Sequence, residues 1–291
     1  MDELLAAMKL ARGAEPGTIR RRGAVPTRAA EAVPARSTAG KAPAVKADRS
    51  GVASPPEVLA EAGRTRVAKV SAPHLHQYRV LNPGARGAVA SSYKILRTQV
   101  LQRCRREGIA SVAVVSPSQQ DGRTLTAINL AVSIAEDPEH TALLVDLDLV
   151  SPSVHQCFGI KVERGVEGCL RGEYELASAL VRPSGYDKLV LLPAKGAVQQ
   201  SSELLASERT RRLAQELRER YANRVVIYDL PALFASDDAL SFLPLVDAAL
   251  LVVAEGRTRR DEVARALELM RETTVIGTVL NRSRERLPDQ G

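Results

Sequence analysis

Three acids and one loop carrying a hydroxyl are the residues of this 291-residue chain whose types and spacing suit chemistry on phosphate. The loop lies in SVAVVSPSQQDGRTLTAINLA, residues 111–131, where a short apolar run gives way to polar residues, then Gly122, Arg123, Thr124 and an apolar continuation at 125, 128, 130 and 131. Strand, loop and helix are expected in that order. A loop that opens a helix aims backbone N–H groups and the positive end of the helix dipole at whatever it holds, and phosphate is the usual guest. The complete phosphate-loop pattern asks for an early Gly and then Gly-Lys-Ser/Thr. Here Pro117 stands at the early position and Arg123 at the lysine's, while Gly122 and Thr124 match. Taken alone, the stretch fits an ordinary strand-to-helix turn equally well.

Asp146 and Asp148 are two apart in an apolar run, so a strand there would point both carboxylates to one side. Beside a phosphate loop they could hold Mg²⁺ through water or act as a base toward a hydroxyl. A turn cap next to a solvated side chain would leave the same trace. Asp229 closes its own apolar run just before Leu230-Pro231, and an acid at such an exit also serves as a cap. Three acids at two strand ends together with the Gly-x-Thr loop favour the nucleotide reading.

The elements that must position these groups alternate. Residues 90–106 carry Tyr93, Leu96, Val100 and Leu101 at helical spacing amid basic residues. Strands are expected in the short apolar run that opens at 111 and at 141–149, 188–192, 224–229, 248–254 and 274–280, with helices at 201–221 and 259–273. Near-continuous Val/Leu/Ile strands between amphipathic helices imply an α/β fold, a mostly parallel sheet with helices on both faces. Ligands bind such sheets beyond the carboxyl ends of the strands, where the loop and all three acids fall.

Composition narrows the rest. Apolar residues make up 45% of the chain and aromatic ones only 3%, so the core must be built from Val, Leu, Ile and Ala. Of the net charge of +7, residues 1–75 carry 13 Lys/Arg against 7 Asp/Glu, so the basic character belongs to the N-terminal region. That region, 1–75, is rich in Ala and Pro without an apolar period and is expected to be disordered. Within it, residues 1–10 could form a short amphipathic helix or a frayed turn, and Arg20-Arg21-Arg22 reads as a solvated charge run with no specific nucleic-acid signal. The folded domain is expected over 76–285, with a tail at 286–291. His74 and His76 lack a nearby third ligand and read as loop residues. Cys104, Cys157 and Cys169 have no metal-site or disulfide spacing, consistent with free thiols in the cytoplasm. No apolar run is long enough for a signal peptide or a bilayer span, so membrane contact is expected to be peripheral or through a partner.

The succession SPSQQDGRTLTAINLA, HTALLVDLDLVSPSVHQCFGI, SSELLASERTRRLAQELRERY, RVVIYDLPALFASDDAL, VDAALLVVAEGRTRRDEVARAL and VIGTVLNRS resembles the bacterial tyrosine kinase family over roughly residues 88–283. Most similar are the autokinase-type proteins of exopolysaccharide biosynthesis, in the deviant Walker group that also holds the MinD and ParA ATPases. The resemblance implies a P-loop NTPase-like domain that binds ATP and Mg²⁺. It implies nucleotide contacts from Gln119, Gln120, Asp121, Gly122, Arg123, Thr124, Leu125 and Asn281. It further implies metal ligation by Thr124 and Asp229, and catalytic roles for Arg123, Asp146 and Asp148. A membrane polysaccharide co-polymerase, or chain-length regulator, is the implied partner, with a homo-oligomer as a further assembly and a place at the inner face of the membrane.

The chain departs from the family pattern at several points. Gln120 replaces a glycine, Arg123 the lysine, and Val150 the arginine of the Asp-x-Asp-x-Arg motif. Ser91, Lys94 and Arg97 stand where the family's oligomerisation helix carries Glu-x-x-Arg-x-x-Arg. The last tyrosine is Tyr228, and the tail LPDQG holds none. These changes imply weakened or lost catalysis, because the arginine fork cannot simply replace a compact ammonium in a tight loop. Two rival expectations follow: an inactive pseudokinase scaffold docking on the co-polymerase, and a MinD/ParA-like positioning ATPase, which Ser118 disfavours because that branch carries an early loop lysine.

Overall fold

The structure, a computed structural model, describes residues 65–219 and 223–283. The helix expected at 1–10, the arginine run at 20–22, most of the segment expected to be disordered and the 286–291 tail lie outside these residues. In chain order the elements are β1 (Arg66–Ala68), α1 (Ala72–Gln77), α2 (Ala88–Glu107), β2 (Ser111–Val115), α3 (Arg123–Ala135), β3 (Thr141–Asp146), α4 (Val154–Phe158) and α5 (Val166–Arg171). They continue as β4 (Val181–Pro183), β5 (Leu189–Leu192), α6 (Ser201–Leu205), α7 (Glu208–Glu219), β6 (Arg224–Asp229), α8 (Asp238–Phe242), β7 (Ala248–Ala254), α9 (Arg260–Leu269) and β8 (Val275–Asn281). One eight-stranded sheet runs β1-β4-β5-β3-β6-β2-β7-β8, and every neighbouring pair is parallel except β4 with β5. The expected α/β fold with its mostly parallel sheet is the one observed.

Strand alternation splits the core into two layers. Val112, Val114, Ala142, Leu144, Val225, Ile227, Leu250 and Val252 join a cluster with Val100 and Leu101 of α2 and with Ile128 and Leu130 of α3. The intervening Ala113, Val115, Leu143, Val145, Val226, Tyr228, Leu251 and Val253 pack on the other face with Leu170, Leu205, Leu217, Phe242, Ala266 and Met270. Both faces are covered, so β2 and β7 are buried at every position and read as unbroken apolar runs. Each such Val, Leu or Ile contributes about 1.5–3 kcal/mol of burial, which fixes the register that places the strand ends side by side.

Two expected boundaries differ. The chain is already in the sheet at β1, ahead of the domain start expected at 76. Residues distant in sequence hold this early segment: the Val70 amide donates to Ser184 Oγ at 3.1 Å, the Leu81 amide to Asn129 Oδ1 at 2.9 Å, and Asn129 Nδ2 to the Arg79 carbonyl at 3.0 Å. His74 and His76 sit on α1, where the His74 ring nitrogen Nε2 lies 2.7 Å from the Gln156 carbonyl. The helix expected at 201–221 is two. It breaks at Ala206-Ser207 because Ser207 Oγ accepts the Thr210 amide at 3.2 Å, a cap that starts α7 afresh.

Candidate phosphate site at the strand ends

β2 feeds the loop 116–122, and α3 begins at Arg123. Every carbonyl of the loop has a donor. Ser116 and Pro117 accept the amides of Leu233 and Phe234 at 2.9 and 3.1 Å, and Ser118 accepts the Ser116 hydroxyl at 2.8 Å. Gln119 accepts Arg257 Nη2 at 3.5 Å, Gln120 accepts Arg282 Nη2 at 2.9 Å, and Asp121 accepts Asn281 Nδ2 at 2.8 Å. Gly122 accepts the Thr126 amide at 3.0 Å. Seven successive carbonyls are thus tied to the surrounding protein. These bonds hold the loop backbone at the N-terminus of α3, whose dipole has the polarity an anion needs.

Two backbone positions in the loop are left-handed, Gln120 at φ 65° and Gly122 at φ 91°. A Cβ on Gly122 would fall 1.9 Å from Asn281 Nδ2, so the glycine leaves room for the amide that holds the Asp121 carbonyl. Gln120 accepts the same backbone strain with a side chain, which explains how the loop keeps its path without the family's second glycine. Substituting Gly122→Ala is expected to cost about 1–2 kcal/mol from the left-handed backbone alone, with the displaced Asn281 amide adding to it. Urea unfolding of the variant measures that loss.

Asp121 is buried and works inside the loop: its Oδ2 accepts the Ser118 amide at 3.2 Å, and Arg257 Nε lies 3.8 Å from its Oδ1. Asn281 holds the loop backbone. Leu125 is half-buried one turn into α3, and Thr124 is half-buried at its start.

Asp146 and Asp229 are direct neighbours in the β3–β6 register, both fully buried. The strand expected through residue 149 stops at Asp146, so alternation along β3 does not orient Asp148. Its Oδ1 accepts the Ser151 amide at 3.0 Å and thereby turns the carboxylate. Arg123, 8% exposed, lies between the acids: Nε donates to Asp229 Oδ1 at 3.3 Å, and Nη2 donates to Asp148 Oδ2. Asp146 Oδ2 accepts the Val154 amide at 3.1 Å. Asp146 Oδ1 and Asp229 Oδ2 are buried without a hydrogen-bond partner.

Burial, then the Asp229 charge, holds the Asp146 carboxyl well above the usual carboxylate range. Burial pushes Asp229 up to about 6, against the pull of the Arg123 charge and the Thr124 hydroxyl. Burial also pushes each of the three free thiols to about 11.

The unpartnered Asp229 Oδ2, on a carboxyl that the Thr124 hydroxyl also reaches, forms with that hydroxyl a hard donor set that suits Mg²⁺. Among the described residues no group of three or more His, Cys, Asp or Glu could hold a metal unaided, so a divalent ion would need phosphate oxygens to complete its shell.

Sequence reasoning missed Arg257 and Arg282, which clasp the loop, and Glu262, whose Oε1 accepts the Ser118 hydroxyl at 3.0 Å. The arginines follow β7 and β8 within a few residues, so their place at the carboxyl edge was the available signal. Tyr228 is buried on the face opposite α3, packed on Phe242 with ring centroids 4.8 Å apart.

Fold and site together define a phosphate-loop α/β domain. No protein-family model matches the chain. Among characterised proteins it is 28% identical over 194 residues to the tyrosine-protein kinase YwqD of Bacillus subtilis, a match covering 66% of this chain and 80% of that protein. It is 30% identical over 210 residues to the succinoglycan biosynthesis transport protein ExoP of Rhizobium meliloti, covering 70% of this chain but only 26% of that much longer protein. The crystal structure of the VpsO kinase domain superposes with a TM-score of 0.60 at 28% identity, covering 67% of this chain and 95% of that domain. The chain is a relative of the bacterial tyrosine-protein kinases. Among the described residues no helix is long and apolar enough to cross a membrane.

Proposed function

We propose that this chain is an ATP-binding, tyrosine-kinase-like protein of exopolysaccharide biosynthesis or export. The observation that carries the reading is a loop with every carbonyl hydrogen-bonded that leads straight into the N-terminus of α3, where the helix dipole favours a phosphate chain. The family relation supplies the reaction: relatives are named tyrosine-protein kinases and a succinoglycan transport protein. A membrane polysaccharide co-polymerase is the proposed partner, which would bring the chain to the inner face of the membrane.

Mg²⁺ would be held by the Thr124 hydroxyl and the free Oδ2 of Asp229, and when bound it would neutralise charge on the transferring phosphoryl group. Asp148 has both oxygens engaged, one by Ser151 and one by Arg123, and so orients the guanidinium. Asp146 keeps one oxygen free and a raised proton affinity, which makes it the better candidate of the two to take a proton from a tyrosine hydroxyl. Arg123 would reach the outer phosphates from a seat already occupied by acids. Losing a well-placed donor costs about 3 kcal/mol, a rate on the order of 100-fold lower.

The purified chain incubated with radiolabelled ATP and Mg²⁺ is therefore expected to label its own tyrosines or a tyrosine peptide slowly. Asp229→Ala should abolish the label, and Arg123→Lys should raise the rate by roughly 10- to 100-fold. No transfer by the natural chain or by Arg123→Lys would sink the kinase reading.

A further inference from the structure

Arg123 starts a helix beside a loop arranged for an anion, yet its guanidinium is committed to carboxylates. The fork has five N–H donors. Nε and one Nη2 hydrogen face Asp229 and Asp148, whereas Nη1 has no carboxylate partner among the described residues. A lysine ammonium gathers three donors on one point and cannot span two carboxylates and a phosphate in fixed directions. Acids facing a bound phosphate chain repel it unless a cation stands between them. A divalent ion can fill that place, but here a cation attached to the chain already occupies the acids.

We propose that Arg123 is the resident cation of the loop, so that a nucleoside di- or triphosphate binds here without a divalent metal. The Nε and Nη2 edge stays on Asp229 and Asp148 while Nη1 turns to the phosphate oxygens. This rests on the phosphate-loop reading and concerns binding alone, since Asp229 Oδ2 remains open to a metal in the transfer step.

Calorimetric titration of the full chain with ATP, once in EDTA and once in excess Mg²⁺, tests it. The natural chain is expected to show dissociation constants within about threefold of each other. Arg123→Lys, which keeps the charge but loses the span, is expected to bind roughly tenfold more tightly with Mg²⁺ than without. Asp148→Asn, which keeps the arginine and frees one side of its fork, is expected to weaken binding in EDTA on the order of tenfold and to recover with Mg²⁺. Binding by the natural chain that Mg²⁺ strengthens about tenfold or more overturns the inference and leaves the phosphate loop standing. Absence of binding in both conditions, in the natural chain and in both variants, overturns the inference and the phosphate loop together.

Discussion

Replacing Arg123 with methionine is expected to cost about 3–5 kcal/mol of stability at pH 7.5, because it strips the cation from buried carboxylates and leaves them without compensation. The size follows from geometry. Asp229 is fully buried, Asp148 nearly so, and the arginine between them is 8% exposed, so water screens none of these charges well. An exposed pair such as Arg212 with Glu208 on α7, 3.3 Å apart at the surface, should by contrast be worth well under about 1 kcal/mol. Urea unfolding at pH 7.5 and pH 5 separates the causes. If lost compensation dominates, the methionine variant recovers part of its deficit at pH 5, where protonation of Asp229 replaces the missing cation. A deficit equal at both pH values would assign the loss to packing.

The second large effect is a pH dependence opposite in sign to that of an ordinary paired carboxylate. Asp229 has a folded pKa of about 6, above the roughly 3.9 of an unfolded aspartate. Below about pH 4 both states are protonated and the group contributes no slope. Between about pH 4 and 6 the unfolded chain releases this proton while the folded chain keeps it, so stability falls as pH rises and then levels off. Two pKa units correspond to about 3 kcal/mol. Asp146, raised by burial and by Asp229, acts in the same direction. Asp229→Asn removes this titration, so the stability of the variant relative to the natural chain should rise by about 3 kcal/mol between pH 4 and pH 7.5. A difference that stays constant across that range would refute the raised pKa.

The central sheet was legible because its cause is local. The strands from 111, 224 and 248 are built on apolar runs at 112–115, 225–228 and 248–254, and burial on both faces needs nothing else. β1 was not legible, since three residues carry no pattern and its partners, β4 and Ser184, lie elsewhere in the chain. The break inside 201–221 turned on one serine hydroxyl competing with helix continuation. At the site, Arg123, Asp146, Asp148 and Asp229 could be named in advance from strand ends and spacing. Their pairing could not, because only the β3–β6 register sets Asp146 beside Asp229 and only the Ser151 turn brings Asp148 onto the guanidinium. Arg257 and Arg282 stayed hidden for a related reason: the hydrogen bonds by which they clasp the loop go to backbone carbonyls, which every residue has.

The carbonyls of Gln119, Gln120 and Asp121 are secured by residues that follow β7 or end β8, and β8 is the outermost strand, with its neighbour on one side only. Edge elements open before central ones, so fraying of β8 would release the loop's outward anchors while the rest of the sheet stays paired. The loop's shape therefore has a lower opening free energy than the strand that feeds it. In hydrogen exchange, amides of 119–122 should follow β8 rather than β2, coupling the readiness of the site to the last strand of the sheet.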